Sequence, residues 1–131
     1  MERIVIDTNI LVSSAISPIG NPANIMMLVS YKELHLFYTA QILDEYKRVL
    51  AYEKLNISLQ AQSNAIKGIL MLGELIEPNV STIPIPDETD RIFYDAAQAS
   101  GAFLITGNIK HFPAEPFIMT TADFLEKIVN K

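Results

Sequence analysis

The sequence predicts an α/β fold, a mainly parallel sheet covered on both faces by helices. Two observations predict it. Short runs of β-branched and apolar residues, such as "RIVI" and "AFLIT", alternate with longer segments of helical apolar spacing. No linker-like composition interrupts that alternation, so residues 1–131 read as one domain, long enough for a sizeable core.

The elements follow in order. Residues 3–6, "RIVI", form a buried strand, and after Asp7 the apolar chain resumes at Ile10, Leu11 and Val12. In "NPANIMMLVSYK" Asn21 is placed to cap a helix, with Pro22 at its first position. "HLFYT" (35–39) is a second strand. Residues 40–54 form a helix whose stripe is Ile42, Leu43, Tyr46, Val49 and Leu50. Ser58 caps another helix reaching about Leu75, and "LIEP" is an edge strand. The Pro-rich loop "NVSTIPIPD" leads into a helix from Glu88 to Ser100. "AFLIT" (102–106) is a strand, "GNIKHFP" a turn, "FIMT" the last strand and "TADFLEKIVNK" a capped terminal helix.

Composition excludes several classes. Half the residues are apolar and 19% are charged, which is not the balance of a disordered chain. No apolar run approaches a membrane span, and "MERIVID" has no signal-peptide features. The chain has no cysteine, so it carries neither a disulfide framework nor a thiolate metal site, as expected of a cytoplasmic protein. The formal net charge is −5, so any nucleic acid must be held by a local basic patch, by metal, or by both.

The acids fall in a pattern. An ionised Asp7 beside a buried strand costs several kcal/mol unless a cation or a ring of donors meets it. In right-handed βαβ units strand C-termini and helix N-termini share one end of the sheet, where ligands bind near the switch in strand order. Asp7 and Asn108 lie just past strands, Asp90 in the first turn of its helix, and Glu45 in the second turn of its own. Carboxylates brought together raise each other's pKa or recruit a cation, and all-oxygen ligation suits Mg²⁺ or Mn²⁺. Asp44 points away from the apolar stripe that Glu45 borders. Asp95 sits ~7 Å further along its helix than Asp90, at ~1.5 Å per residue, which makes Asp90 the better placed. Each residue has a second reading. Asp90 completes a capping box with Asp87, Glu45 is solvated, and Asp7 forms an Asx-turn. His35 and His111 read as turn or core residues.

Taken together, "IVIDTNILVSSA", "ILDEYKRVL", "PDETDRIFYDAAQASGAFLITGNIKHFP" and "FIMTTADFL" resemble the PIN-domain family, in particular the VapC-like toxin components of toxin–antitoxin systems. The resemblance implies a three-layer α/β/α fold with a five-stranded, mainly parallel sheet ordered 3-2-1-4-5. It implies Asp7, Glu45 and Asp90 as ligands of Mg²⁺ or Mn²⁺. Asn108 takes the fourth position, where many relatives carry Asp, and this departure bears on whether a second metal binds. Thr8 or Thr106 matches the hydroxyl that orients the first Asp, and Asn9 matches a structural polar residue below it. The implied activity is endonucleolytic cleavage of single-stranded RNA. The implied partners are a cognate antitoxin protein and a second copy of the chain.

On that reading metal-activated water attacks a phosphodiester. Asp7 and Asp90 hold the ion, Glu45 holds it or orients the water, and Asn108 gives a neutral oxygen. Arg91, Lys110 and Arg48 are the basic residues nearest the site in sequence, either phosphate contacts or ordinary surface charges. A receiver-like domain would need a second acid after strand one and an acceptor after "FYTA", and both are missing. A haloacid-dehalogenase-like phosphatase would need an acid where Asn9 stands. The alternative that Asn108 leaves standing is a PIN fold without catalysis that binds RNA or protein.

Overall fold

A computed structural model describes residues 1–130; Lys131, which the predicted terminal helix included, lies outside the described residues. Among them, strands β1 (Glu2–Ile6), β2 (Leu34–Tyr38), β3 (Gly73–Leu75), β4 (Phe103–Ile105) and β5 (Ile118–Met119) make one sheet. The order is β3-β2-β1-β4-β5, and every pairing is parallel. This is the expected 3-2-1-4-5 sheet. Ile4, Val5 and Ile6 of β1 and Leu104 and Ile105 of β4 are fully buried. Such unbroken apolar strands belong to parallel sheets covered on both faces.

The helices are α1 (Thr8–Ile16), α2 (Asn21–Ser30), α3 (Ala40–Leu50), α4 (Leu59–Leu72), α5 (Arg91–Ser100) and α6 (Thr121–Val129). From β1 through β2 to β3 the chain steps outward in one direction; from β3 to β4 it returns past β1. With right-handed crossovers, that reversal puts α1 to α4 on one face and α5 on the other. It also sets the switch point between β1 and β4.

Several boundaries differ from the sequence reading, each for a local reason. Ile10, Leu11 and Val12 belong to α1, which the strand-like composition concealed. The helix starts there because Asp7 caps it, its carboxylate accepting from the Thr8 N–H at 2.8 Å. Gly20, with φ +117°, takes the cap position of α2 in place of Asn21. Helix α3 stops at Leu50, and a short 3₁₀ turn, Glu53–Leu55, follows it. Ser58 caps α4 as expected, accepting from the Ala61 N–H at 3.1 Å. That helix ends at Leu72, and the edge strand is Gly73–Leu75 rather than "LIEP". Gly73 is needed there because a Cβ would meet the Ile69 carbonyl and the Tyr38 ring at 2.8 Å. Helix α5 begins at Arg91, after a 3₁₀ turn over Glu88–Asp90.

One buried contact positions the site. Tyr46, on α3 and fully buried, donates its hydroxyl proton to the Ile6 carbonyl at 2.6 Å. The bond ties α3 to the C-terminal end of β1. Burial, with Asp7 and Glu45 nearby, holds this phenol well above its ordinary pKa, so it remains a donor.

Candidate active site

Asp7 leaves β1 at the C-terminal end of the sheet with 6% of its surface exposed. Its donors come from two chain segments. Oδ1 accepts from the Thr8 N–H at 2.8 Å, and Oδ2 accepts from the Thr106 hydroxyl at 2.7 Å. Thr106, just past β4, also accepts from the Asn108 N–H at 2.9 Å. The parallel pairing of Ile6 with Ile105 puts the residues after β1 and β4 side by side. The carboxyl pKa is nonetheless raised. Burial is the largest cause, Glu45 adds to it, and the two hydrogen bonds and His111 oppose it.

Glu45 comes from the second turn of α3, beside Tyr46. Its Oε2 accepts from the Thr8 hydroxyl at 3.2 Å, and its Oε1 pairs with Arg48 at 2.6 Å. The two threonines therefore divide the task the sequence left between them: Thr106 holds Asp7 and Thr8 holds Glu45.

Asp90 ends the 3₁₀ turn that leads into α5. Asp87 does cap that turn, accepting from the Thr89 N–H at 3.0 Å, but Asp90 makes no reciprocal side-chain bond. Its Oδ2 is buried and has no hydrogen-bond partner among the described residues. The capping-box reading of Asp90 is therefore incomplete, and its carboxylate faces the other acids. Burial, Asp7, Asp87 and Glu45 raise its pKa to about 6, against an opposing pull from His111.

His111 lies in a turn, one of the two places the sequence offered for it, but its approach to Asp90 is what the sequence reading missed. It closes the 3₁₀ turn Ile109–His111, one turn after Asn108, and its Nδ1 stands 3.4 Å from Asp90 Oδ2. The available signal was the i, i+3 spacing in "NIKH". Asn108 is half-buried beside Thr106, and its side-chain amide makes no hydrogen bond among the described residues.

Other expectations are corrected. Asn9 is exposed on α1 rather than supporting Asp7 from below, since Thr106 already fills that place. Arg91 is not a free cation at the mouth. Its guanidinium bonds Glu88, the Ser81 carbonyl and hydroxyl, and the Ile83 carbonyl at 2.6 to 3.0 Å. That leaves it pinning the 81–83 segment to α5. Arg48 does stand at the mouth, paired with Glu45 and with the Tyr52 hydroxyl. Lys110 is exposed on the 109–111 turn.

Glu45 thus raises the pKa of both Asp7 and Asp90, Asp7 raises that of Asp90, and the buried Asp90 Oδ2 accepts no hydrogen bond among the described residues. A hard divalent cation fits this donor set, because it would satisfy Asp90 Oδ2 and remove the mutual repulsion. The described residues include no three His, Asp or Glu side chains already spaced around one metal position. Glu45, drawn toward Arg48, would have to turn inward to join the other two.

A family profile described as PIN domain matches residues 3–110. An uncharacterized protein of Methanocaldococcus jannaschii is 29% identical over 109 residues, 81% of this chain and 70% of that protein. The crystal structure of PAE2754 from Pyrobaculum aerophilum aligns with a TM-score of 0.62 at 16% identity, covering 99% of this chain and 91% of the other. VapBC2 from Rickettsia felis, solved with a DNA fragment from its promoter, aligns at 0.59 and 18% identity, covering 90% and 96%. With the match spanning most of the residues and the sheet in the expected order, the chain belongs to the PIN-domain family.

Proposed function

We propose that this protein is a Mg²⁺- or Mn²⁺-dependent endoribonuclease that cleaves single-stranded RNA, and that it acts as the toxin of a toxin–antitoxin pair. The observation that carries the reading is the buried Asp90 Oδ2, which accepts no hydrogen bond among the described residues and meets only the His111 imidazole, beside Asp7 and Glu45 at the switch point of the sheet. Asp7, Asp90 and Glu45 would hold the ion, with Asn108 contributing a neutral oxygen and Thr106 and Thr8 fixing the carboxylates. When bound, the ion supplies an acidified water and neutralises charge on the phosphoryl oxygens.

The chain's own residues supply the rest. The Thr106 hydroxyl and the Thr8 N–H fix the two oxygens of Asp7, while the Thr8 hydroxyl and Arg48 hold Glu45. Arg48 and Lys110 offer positive charge to the RNA backbone, which an acidic protein needs in a local patch. His111 stands where it can carry a proton at the edge of the site. The toxin assignment is supported by the fold shared with VapBC2, and on that assignment the partners are an antitoxin protein and a second copy of the chain.

The test is cleavage of a mixed single-stranded RNA pool with and without Mn²⁺ or Mg²⁺. Wild type should cut only with metal, and Asp7→Asn should not cut. Unchanged RNA under every condition would leave the binding-module reading, which Asn108 and the Glu45–Arg48 pair favour.

A further inference from the structure

The three acids of the mouth are held in different ways. Asp7 has two donors, and Glu45 has the Thr8 hydroxyl and Arg48. The buried Asp90 Oδ2 meets only the His111 imidazole among the described residues. The placement of Asp90 therefore depends on its backbone, the 3₁₀ turn Glu88–Asp90 at the end of a Pro-rich loop. Such a turn has poorer hydrogen-bond geometry than an α-helix, so its neighbours must fix it. Arg91 is the neighbour that does so. Its Nε and Nη2 fork the Glu88 carboxylate at 2.8 and 2.6 Å. Nη1 donates to the Ser81 carbonyl and hydroxyl at 3.0 and 2.9 Å, and Nη2 also donates to the Ile83 carbonyl at 2.8 Å. One helical turn further along α5, on the same face, Asp95 Oδ2 accepts from the Ser81 N–H at 3.1 Å. Ser81 is thus gripped from α5 at its N–H, its carbonyl and its hydroxyl.

We propose that Arg91 is a positioning residue for Asp90: with Asp95 it locks the 81–88 segment onto α5, and so holds the turn that carries Asp90 to the mouth. The inference rests on the metal-site reading above. Its guanidinium joins the loop at Ser81 and Ile83 to the turn at Glu88, and the residue before it in sequence is Asp90. Charge alone predicts the opposite effect. Arg91 carries a positive charge one residue from Asp90, so by Coulomb's law its removal would tighten the binding of a cation. Positioning reverses the sign, because supports around a metal ligand are typically worth about ten- to a hundredfold in affinity. Lysine does not replace this arginine. One ammonium cannot span Glu88, Ser81 and Ile83 as the planar fork does.

The test is Mn²⁺ titration calorimetry on full-length wild type, Arg91→Ala, Arg91→Lys and Phe124→Leu. Phe124 is fully buried against Phe103, which opens β4 at the end of the sheet away from the mouth. Its variant loses stability without touching the turn. Both Arg91 variants should bind Mn²⁺ about tenfold more weakly, and Phe124→Leu should bind it as wild type does. In metal-free protein the Asp90 N–H, bonded to the Asp87 carbonyl at 3.0 Å, should exchange faster in Arg91→Lys than in Phe124→Leu. Unchanged or tighter binding by the Arg91 variants overturns the role of Arg91 and leaves the metal site standing. An equal loss of affinity in Phe124→Leu overturns it too, because affinity would then only track stability. Absence of Mn²⁺ binding by wild type removes the metal site itself, and this role with it.

Discussion

Two arginines follow a glutamate by three residues, and they do opposite things. Arg48 and Arg91 each approach their glutamate, Glu45 and Glu88, at 2.6 Å. Arg91 has 13% of its side chain exposed and also serves the Ser81 and Ile83 carbonyls. Arg48 has 58% exposed and, among the described residues, otherwise meets only the ring and hydroxyl of Tyr52. Spacing alone identifies both pairs. Burial and the carbonyls around the guanidinium decide which is a structural pin and which is a charge that can be released to a ligand.

The largest expected effect tests that contrast directly. Arg91→Ala should lower the midpoint of urea denaturation measurably, because the part-buried Ser81 and Ile83 carbonyls lose charge-assisted donors. Arg48→Ala should leave that midpoint almost unchanged, as exposed pairs do. Equal losses would break the comparison.

The next effect belongs to the arginine that can let go. Saturating Mn²⁺ or Mg²⁺ should stabilise the native state by ~1.4 to 2.7 kcal/mol at ten to a hundred times Kd. The rise in melting temperature should shrink in Asp90→Asn and grow in Arg48→Ala, where Glu45 is free to turn inward. An equal rise in wild type and Asp90→Asn would put the ion elsewhere.

The two regions also titrate with opposite sign. Near Arg91, the Glu88 carboxyl is held low by its guanidinium and Asp87 by the Thr89 donors, so their contribution is lost as pH falls. At the mouth, Asp90 titrates at about 6 against an unfolded value of 3.8. Its native form keeps a proton that the unfolded chain has released. Without metal, its contribution to stability therefore falls as pH rises from about 4 to about 6. Discounted for solvent screening, the fall is about 1 kcal/mol. The difference between wild type and Asp90→Asn, followed in EDTA, isolates it; a flat difference would refute the raised pKa.

The smallest effect is on RNA. If Arg48 contacts one phosphate, Arg48→Ala should reduce the log–log salt slope of binding by about 0.7, and Lys110→Ala should act alike. Replacing Arg91 should leave the slope unchanged. A slope that drops only in the Arg91 variant would reverse the assignment of the two arginines.

The sheet was legible because its strands carry unbroken apolar residues and its connections alternate in type, which left few topologies. The position of Glu45 in the second turn of α3 was legible for the same reason, whereas Asp90 stands just before α5 rather than in its first turn, because a 3₁₀ turn precedes the helix. The start of α1 was not legible, because Asp7 ends a strand and caps a helix in one residue, so apolar periodicity changes without a break. His111 read only as a turn or core residue, because sequence spacing does not show that the 3₁₀ turn carries it to Asp90. Arg91 misled because nearness to Asp90 in sequence says nothing of the Ser81 and Ile83 carbonyls, which arrive from a loop.

The Tyr46 hydroxyl bond has a consequence for how the mouth tolerates change. It joins Ile6 to Tyr46, and the next residue on one side is Asp7, on the other Glu45. The bond is therefore a gauge block: it sets the gap between two backbones that each carry a carboxylate one residue away. Because the block sits in the dry interior, ionic strength and proton concentration outside do not reach it. Side chains at the mouth can swing between an arginine and an ion, while the frame from which they swing keeps its dimensions.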